Sequence, residues 1–375
     1  MSSLAVAALS ARLLAEAAQQ EGHTVVALDL FGDQDTQRAC TQWLPIGDPA
    51  SMRIDGPRLL AALAELARSG DVAGWIAGSG FEGQIDLLER GAALLPLIGT
   101  APADVRRVRE PQSFFAGLDR HGIAHPPVQY AAPLDSAGWL AKDSGGCGGW
   151  QVRAASSLAG KALPQGAYFQ RQVPGLPMSA TFVANGHDAR VFGFNRQIVR
   201  RFGVHPFVFC GVVGPLALDA MLARELGDVV RKLAAEFGLR GLGGLDFMLD
   251  GEHFALLEVN PRPPASLALY LDRLPMQAHL RACLHGELPD PAPGSAAPVR
   301  GSEIVFARSP LSLGDAAVRE LAAWPQCHDL PRAGSAFAAG DPLCSLTAQA
   351  GSADDVIALL AARREALLAR MEELN

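Results

Sequence analysis

The chain has 375 residues, of which 49% are hydrophobic and 19% are charged, so it can bury a large core. The formal net charge is −7 without a basic run, which argues against nucleic acid and anionic membranes as partners. The six cysteines stand singly, which is typical of reduced thiols rather than of a disulfide framework or a zinc ribbon. No apolar stretch reaches the roughly 18 residues that a membrane span needs. We therefore expect a globular protein of the cytoplasm with roughly two to four domains.

The first part of the chain predicts a βαβ unit and hence a parallel sheet. We expect a buried strand over Leu4 to Leu9, Ser10 as the N-cap of a helix over Ala11 to Gln20, and a second strand over Thr24 to Leu30. Asp29 at the end of the second strand is typical of nicotinamide-cofactor sites. The first turn, however, has no G-x-G-x-x-G that would admit a pyrophosphate, so dinucleotide binding is not expected.

A glycine-rich segment follows the third predicted strand. We expect a helix over Leu59 to Ser69, this strand over Val72 to Ala77, a helix over Asp86 to Gly91 and a fourth strand over Leu94 to Ile98. Between them, Gly78 to Gly83 leaves the carboxyl end of the strand, where α/β sheets bind ligands. A plain tight turn is an equally good interpretation.

A lysine precedes a second glycine-rich loop, after an amphipathic helix predicted over Pro111 to His121. We expect one strand over Trp139 to Lys142 and a return strand over Trp150 to Arg153, with the loop Gly145–Gly149 between them. The backbone amides of such a loop can close over phosphates, and Lys142 can meet their charge. No Gly-Lys-Ser/Thr follows, so this is not a Walker A loop, and a flexible exposed hairpin is the alternative.

The rest of the chain predicts mixed structure. Strands are expected over Ala167 to Val173, Ser179 to Ala184, Ala189 to Phe194 and Phe207 to Val213. Helices are expected over Ala220 to Phe237, Ser266 to Tyr270 and Met276 to His285. Leu288 to Pro298 reads as a proline-rich linker, and short strands are expected in the tail. The last helix begins at a capping box formed by Ser352 and Asp355.

Polar side chains recur on a predicted hairpin that turns at Asp250-Gly251. Asp246 lies on its first strand, and Glu258 and Asn260 lie on one face of the second. A carboxylate inside an apolar strand is costly unless it is paired or binds metal. Three oxygen ligands on one face suit magnesium, and Arg262 can bring donors to the same face. A hairpin with a polar edge in water is the alternative.

These motifs, in this order, resemble the ATP-grasp superfamily of carboxylate–amine ligases over roughly residues 1–290, most specifically in Trp139 to Gly149 and Asp246 to Pro263. The resemblance implies an α/β fold of the ATP-grasp type with an N-terminal Rossmann-like pre-ATP-grasp domain and a small β-rich C-terminal domain. The implied regions are the pre-ATP-grasp domain at 1–103, the lid subdomain at 104–168, the large subdomain with the magnesium site at 169–290, and the C-terminal region with its helix at 300–375.

The resemblance also implies roles for individual residues. ATP and Mg²⁺ are the implied cofactors, and the positions that match magnesium ligands are Asp246, Glu258 and Asn260. Lys142 matches a catalytic lysine that contacts the nucleotide phosphates, and Arg262 a catalytic contact to the transferring phosphoryl group or to the substrate carboxylate. Arg109 stands near a first basic contact to phosphate. The positions that match the phosphate lid are Gly145, Gly146, Gly148 and Gly149. The positions that match the adenine hinge are Gln170, Arg171, Gln172 and Val173, although members often have a glutamate where this hinge has glutamines.

The implied reaction is C–N bond formation, in which ATP phosphorylates a carboxylate and an amine attacks the acyl phosphate. The partners are then small molecules, and the assembly is left open between a monomer and a homodimer. No biotin-attachment motif or second ATP-grasp half is found, so carbamoyl-phosphate synthesis and a self-contained carboxylase are not expected. The closest resemblance is to ligases of one-carbon coenzyme pathways, similar to the tyramine–glutamate ligase of methanofuran-type biosynthesis, with glutamate as a substrate.

Other interpretations belong to different classes. One is an ATP-binding regulatory module without turnover. Another is a metal or redox protein that uses His279, Cys283 and His285, of which only the first two share a helical face, too few for a closed site. A G-x-S-x-G motif is missing, which disfavours a serine nucleophile. Finally, an acidic substrate or only water can face the basic residues Arg196, Arg200 and Arg201.

Overall fold

The computed structural model describes residues 3–158, 166–290 and 298–374. Most of the predicted linker, residues 291–297, lies outside the described residues. Within them no helix is long and apolar enough to cross a membrane, and the cytoplasmic location stays a prediction. The predicted division into four regions likewise stays a prediction.

Strands and helices alternate at the N-terminus, and strands dominate the middle of the chain. The strands are β1 (Ser3–Ala7), β2 (Val25–Asp29), β3 (Gln42–Pro45), β4 (Gly47–Asp48), β5 (Arg53–Ile54), β6 (Val72–Ala77), β7 (Val128–Gln129), β8 (Trp139–Asp143), β9 (Arg153–Ala154), β10 (Ala167–Arg171), β11 (Leu176–Asn185), β12 (Ala189–Phe202), β13 (His205–Leu216), β14 (Arg240–Asp250), β15 (His253–Asn260), β16 (Val299–Phe306), β17 (Leu311–Ser312), β18 (Cys327–His328), β19 (Ala336–Phe337) and β20 (Pro342–Ala350). The helices are α1 (Arg12–Gln20), α2 (Gln34–Ala39), α3 (Gly56–Ser69), α4 (Ile85–Leu94), α5 (Pro102–Arg109), α6 (Pro111–Arg120), α7 (Ala220–Phe237), α8 (Pro275–His285), α9 (Asp315–Ala323) and α10 (Ala353–Leu374).

The predicted N-terminal βαβ unit is present, in a parallel sheet of order β3-β2-β1-β6. Ser10 was wrongly predicted as the N-cap of α1, because its hydroxyl donates to Asp329 at 3.2 Å instead. Asp29 accepts from the backbone N–H of Ala11 at 3.0 Å and of Gly32 at 2.9 Å. Its carboxylate therefore joins the loops that follow β1 and β2. Because its oxygens accept these bonds, they are not available to bind a nicotinamide ribose.

The predicted fourth strand over Leu94 to Ile98 is wrong. Helix α4 continues through Leu94, and this segment keeps a single parallel bridge between Leu97 and Trp75. Trp75 donates its backbone N–H to Pro96 and accepts one from Ile98, so two bonds hold the segment beside β6. The nearby Pro96 has no N–H to extend a ladder, which limits the pairing.

A second, smaller sheet has the order β7-β10-β8-β9 and is antiparallel. Strand β8 agrees with the prediction, but the return strand does not. Residues 148–151 form turns rather than the first half of a strand, and the pairing with β8 begins only at Arg153. Gly148 and Gly149 both have positive φ, which turns the chain there and delays its return.

The largest sheet is antiparallel, with the order β15-β14-β11-β12-β13-β16-β20-β18. Strands β11, β12 and β13 occupy the predicted places but are longer than expected. The C-terminal strands continue this sheet, since β16 pairs with β13. Helix α7 spans the predicted Ala220–Phe237 and ends at Gly238 in the left-handed conformation, as expected. The predicted helix over Ser266 to Tyr270 is a short 3₁₀ helix instead.

The C-terminal helix α10 begins where the sequence predicted. The Ser352 hydroxyl accepts from the backbone N–H of Asp355 at 3.2 Å, so the helix begins at the capping pair. The side chains on its apolar face are buried, namely Val356, Leu360, Leu367 and Met371. They pack with β16 and β20 in one core, and a second core fills the space between α6, α7 and the middle of the large sheet.

We predict that Phe237→Ala lowers the free energy of unfolding by about 3–5 kcal/mol, because truncating a buried aromatic ring leaves a cavity. Phe237 is fully buried at the end of α7, with its ring 6.0 Å from that of Phe114. Met221→Ala on the same helix is the control: its side chain is 73% exposed, so we expect a change within about 0.5 kcal/mol. Equal losses in urea unfolding would contradict this view of the core.

Candidate active site

A cavity of about 2560 Å³ lies where the N-terminal sheet, the small sheet and the large sheet meet. Its walls include the hairpin of β14 and β15, the glycine loop at Gly145–Gly149 (the lid) and the glycine segment Gly78–Gly83. The end of β10 and the residues after it, Gln170 to Val173 (the hinge), also line the cavity. All the site residues predicted from sequence line this one cavity. The fold therefore brings together motifs that are far apart in the chain.

Asp246 and Glu258 lie directly opposite each other on β14 and β15. Asn260 donates its amide to the second oxygen of Asp246 at 3.1 Å, and Gln197 donates to the first at 2.9 Å. Burial, followed by the charge of Glu258, raises the pKa of Asp246 to about 7. Two carboxylates and an amide oxygen on one wall are the ligand types that magnesium prefers.

Two guanidinium groups balance this negative charge. Arg109 lies at the end of α5 with Nη1 3.5 Å from a Glu258 oxygen. Arg262 follows the hairpin and donates its Nε to Glu82 at 2.7 Å. Its Nη2 lies 3.5 Å from the side-chain oxygen of Asn260. The cavity wall is therefore a mixed array of carboxylates and guanidinium groups rather than a polar edge exposed to water.

Glu82 was not predicted from the sequence as a site residue. It is 8% exposed, and its second oxygen accepts from the backbone N–H of Gly80 at 2.7 Å. Burial alone would raise the pKa of Glu82, but Arg262 and then Arg109 lower it below its ordinary value. The glycine segment at the carboxyl end of β6 was the feature of the sequence that could have indicated Glu82. The segment is more than a plain tight turn, because its Glu82 binds Arg262.

The lid is docked against its surroundings. Arg109 donates Nη2 to the carbonyl of Ser144 at 2.6 Å and to that of Gly146 at 3.1 Å. On the far side, the Gly148 carbonyl accepts from the backbone N–H of Phe209 at 2.9 Å. Cys147 lies within the lid, where burial raises the pKa of its thiol to about 12, so it is neutral. The alternative of a flexible, freely exposed hairpin does not describe this loop.

Lys142 and the hinge lie on neighbouring strands of the small sheet. Lys142 donates Nζ to the side-chain oxygen of Gln170 at 2.9 Å. The amide nitrogen of Gln170 and the Nε of Arg109 are buried and have no hydrogen-bond partner among the described residues. Buried donors are usually satisfied, so these two indicate a ligand with acceptor oxygens or nitrogens. This agrees with the expected nucleotide.

The backbone of the hinge has a free donor. The N–H of Arg171 binds the carbonyl of Pro127 at 2.8 Å, and that of Gln172 binds the carbonyl of Gly138 at 2.9 Å. The next N–H, of Val173, has no partner among the described residues, although Val173 lines the cavity. An aromatic ring with an acceptor at its edge can satisfy this donor.

The three arginines of β12 have different surroundings. Arg196 lies 3.3 Å from Asp354, and Arg201 is exposed. Arg200 lines the cavity with Nη1 2.7 Å from the buried carboxylate of Glu303. The basic side chains therefore divide between a solvated face and the cavity wall.

The metal or redox alternative is disfavoured by its histidine. His279 is 1% exposed, its Nδ1 accepts from the backbone N–H of Leu242 at 2.9 Å, and its Nε2 lies 3.0 Å from the carbonyl of Ile98. Burial lowers the pKa of His279 to about 4, so the ring is neutral. Both nitrogens are in use, and His285 is exposed. His279 is a satisfied core residue.

Comparison with known proteins supports the resemblance. Residues 113–266 match the ATP-grasp domain family. The carbamoyl phosphate synthase large chain of Pseudomonas syringae pv. tomato is 27% identical over 193 residues, which are 46% of this chain and 18% of that protein. The same protein of Rhodopirellula baltica is 28% identical over 211 residues, which are 48% of this chain and 19% of that protein. The chain thus spans less than a fifth of the length of these relatives.

Solved structures match over nearly the whole chain. The complex of biotin carboxylase with βγ-ATP from Campylobacter jejuni has a TM-score of 0.72 at 14% identity, covering 98% of this chain and 95% of the other. An L-amino acid ligase from Bacillus licheniformis has a TM-score of 0.68 at 14% identity and covers 96% of both chains. These likenesses confirm the predicted ATP-grasp fold. The relatives and neighbours are ATP-grasp carbon–nitrogen ligases, the class that the sequence predicted.

We predict that Gly149→Ala undocks the lid, whereas Gly148→Ala leaves it in place. A Cβ at Gly149 would lie 1.9 Å from the carbonyl oxygen of Phe207, and backbone cannot give way there. Gly148 has a similar positive φ, but its Cβ would meet only Trp150 at 3.5 Å. Both variants therefore share the backbone strain of an alanine at positive φ, and only Gly149→Ala adds a steric clash. Limited proteolysis should therefore cleave the lid faster in Gly149→Ala than in Gly148→Ala. Equal cleavage rates would contradict the docked lid.

Proposed function

We propose that this protein is an ATP-dependent ligase that activates a substrate carboxylate by phosphoryl transfer and joins it to an amine through a C–N bond. The observation that supports this most strongly is the oxygen cluster of Asp246, Glu258 and Asn260, which shares one cavity with Lys142 and Arg262. Phosphoryl transfer needs positioning and charge neutralisation more than side-chain acid–base chemistry, and this cavity offers both.

The oxygen cluster fits magnesium. Asp246, Glu258 and Asn260 would hold the ion, which, when bound, neutralises charge on the phosphate oxygens of a nucleotide. Glu258 is the anchor in this proposal, because it lies opposite Asp246 and also faces Arg109. The raised pKa of Asp246 follows first from burial and second from the charge of Glu258, and a cation bound to both carboxylates would lower it.

The nucleotide would lie between the hinge and the lid. The free N–H of Val173 would bind the adenine edge, and the unpartnered amide of Gln170 would bind a nucleotide acceptor. Lys142 would turn from Gln170 to a phosphate oxygen, since a charged acceptor binds an ammonium more strongly than an amide oxygen does. The docked lid would exclude water, which otherwise hydrolyses an acyl phosphate.

Arg262 would orient the reacting groups. Its guanidinium is a planar fork of donors, and its Nε donates to Glu82 at 2.7 Å. Because the group is planar, this contact also fixes the direction of its Nη donors. A phosphoryl or carboxylate group of the substrate matches such a fork in both charge and geometry. Arg109, with its unpartnered Nε, would add a second contact to phosphate beside its hold on the lid.

The finer interpretation is that this ligase acts in one-carbon coenzyme biosynthesis of the methanofuran type, with glutamate as a substrate. It is supported only by the resemblance of the sequence motifs, and the proteins that this chain resembles are named for other reactions. An L-amino acid ligase among the structural neighbours is in keeping with an amino acid as a substrate of this chain. A homodimer stays a prediction.

The test is ADP release from Mg-ATP across a panel of amino acids and amines. We predict that Glu258→Gln and Lys142→Met each lower the substrate-dependent rate by roughly 10²–10³-fold, because each removes a charge that faces the phosphoryl groups. Asp250→Asn, an exposed carboxylate at the turn of the same hairpin, is the matched control and should keep the wild-type rate.

Three outcomes separate the proposals. Substrate-dependent ADP release that the two site variants lose supports the ligase. Binding of Mg-ATP without turnover for any member of the panel would contradict it and favour the regulatory module without turnover. A wild-type protein that does not bind Mg-ATP would overturn the nucleotide site itself.

A further inference from the structure

One end of the cavity is lined by the loops that follow β1 and β2 of the N-terminal sheet and by the C-terminal region. Asp33, between β2 and α2, lies there together with Arg12 and Asp329. Asp33 is 7% exposed, and its carboxylate has no hydrogen-bond or ion-pair partner among the described residues. It stands at the N-cap position of α2 but does not accept from the helix amides, which is the usual use of an aspartate there.

The carboxylates near Asp33 all have partners. Asp29 accepts from two backbone amides and from the indole N–H of Trp43 at 2.8 Å. Asp35 accepts from the backbone N–H of Asp329 at 2.7 Å and of Leu330 at 3.0 Å. Among the described residues, Asp33 is therefore the carboxylate of this group that accepts no hydrogen bond.

The local charge is also unbalanced. The charged groups that act on Asp33 are the carboxylates of Asp29, Asp35 and Asp329 and the guanidinium of Arg12. Arg12 already holds Asp329 through two hydrogen bonds of 3.0 Å. These groups, with Asp33 itself, are four carboxylates and one guanidinium, and the carboxylates still outnumber the guanidinium groups when Arg332 at the same end is counted, so this end of the cavity attracts positive charge.

The other guanidinium at this end is engaged elsewhere. Arg332 donates to the carbonyl of Phe31 at 3.3 Å and lies over the ring of Trp43, 5.1 Å from its centroid. A carboxylate that is only 7% exposed and unpaired has lost much of its hydration, and a cation from outside the chain would relieve that cost. Burial and the neighbouring carboxylates raise the pKa of Asp33 to about 8, in agreement with its lack of an ion-pair partner among the described residues.

We propose that Asp33 binds the ammonium group of an amine-bearing substrate, and that this end of the cavity is the amine subsite of the ligase. The inference rests on the proposed function for the identity of the occupant. A primary ammonium has three N–H donors and one positive charge. It therefore matches a single carboxylate that accepts no hydrogen bond from the protein. A divalent metal ion would need several free oxygen ligands, whereas the neighbouring carboxylates are already hydrogen-bonded. The subsite opens into the cavity that also contains Lys142 and Glu258.

The binding test uses the full chain with methylammonium chloride as the probe and sodium chloride at equal ionic strength as the reference. Above the pKa of Asp33, methylammonium should raise the thermal midpoint of the wild type more than sodium does, because a ligand of the folded state stabilises it. Asp33→Asn should lose this extra shift. Asp71→Asn, an exposed aspartate outside the cavity, should keep it. Equal shifts in wild type and Asp33→Asn, or no extra shift in the wild type, would overturn the proposal.

Magnesium chloride, added in the same way, distinguishes the two kinds of cation. If magnesium rather than methylammonium gives the shift that depends on Asp33, the subsite is a metal site and the proposal is wrong. Because this measurement needs neither ATP nor turnover, it can succeed even if the proposed ligase reaction fails.

In turnover, Asp33→Asn should raise the KM for the amine by roughly tenfold or more, as expected for the loss of a charge-assisted hydrogen bond. The KM for Mg-ATP should stay close to that of wild type, which a general structural defect would not allow. Ligation that proceeds with an unchanged amine KM would overturn the amine subsite and leave the ligase function standing.

Stability gives an independent prediction. The pKa of Asp33 is about 8 in the folded protein and 3.8 ordinarily, so the folded chain holds a proton that the unfolded chain releases between these values. The contribution of Asp33 to stability therefore falls as pH rises through this range. Asp33→Asn should raise the thermal midpoint most at pH 8 and above, and the gain should vanish towards pH 4. A gain that shrinks with rising pH would contradict the unpaired carboxylate.

Discussion

The arrangement of the cavity depends on the pair of carboxylates at Asp246 and Glu258, which lie opposite each other on neighbouring strands. Like charges in such positions are unfavourable unless cations balance them. Arg109 and Arg262 lie beside the pair, and each also holds another part of the chain: Arg109 binds the lid, and Arg262 binds Glu82 in the glycine segment. The same two guanidinium groups therefore balance the hairpin charge and join the hairpin, the lid and the N-terminal sheet around one space.

Beside Asp33, the N-terminal and C-terminal regions of the chain are in contact. Arg12 on α1 holds Asp329 after β18, and the backbone N–H of Gln34 binds the carbonyl of Leu330 at 2.8 Å. These contacts place the C-terminal region over the carboxyl ends of the parallel strands. The result is a cavity with paired carboxylates and guanidinium groups near the lid and an excess of carboxylate at Asp33.

Much of the site could be predicted from sequence because its signals are local. The Asp-Gly turn and the two-residue spacing of Glu258 and Asn260 fix which face their side chains share, and the glycine lid follows its lysine directly. Contacts between distant segments could not be predicted in this way. The Arg262–Glu82 pair joins residues 180 apart in sequence, and the partner of Ser10 lies 319 residues away. Such pairings depend on how the sheets pack, which short-range spacing does not report.

The central claim is that the carboxylate pair holds the metal of a bound nucleotide, and calorimetric titration of ATP with and without magnesium tests it most directly. We predict that wild-type protein binds ATP tightly only when magnesium is present, and that Glu258→Gln removes this dependence on magnesium. ATP binding that is equally tight without the metal, or that Glu258→Gln leaves unchanged, would contradict the claim.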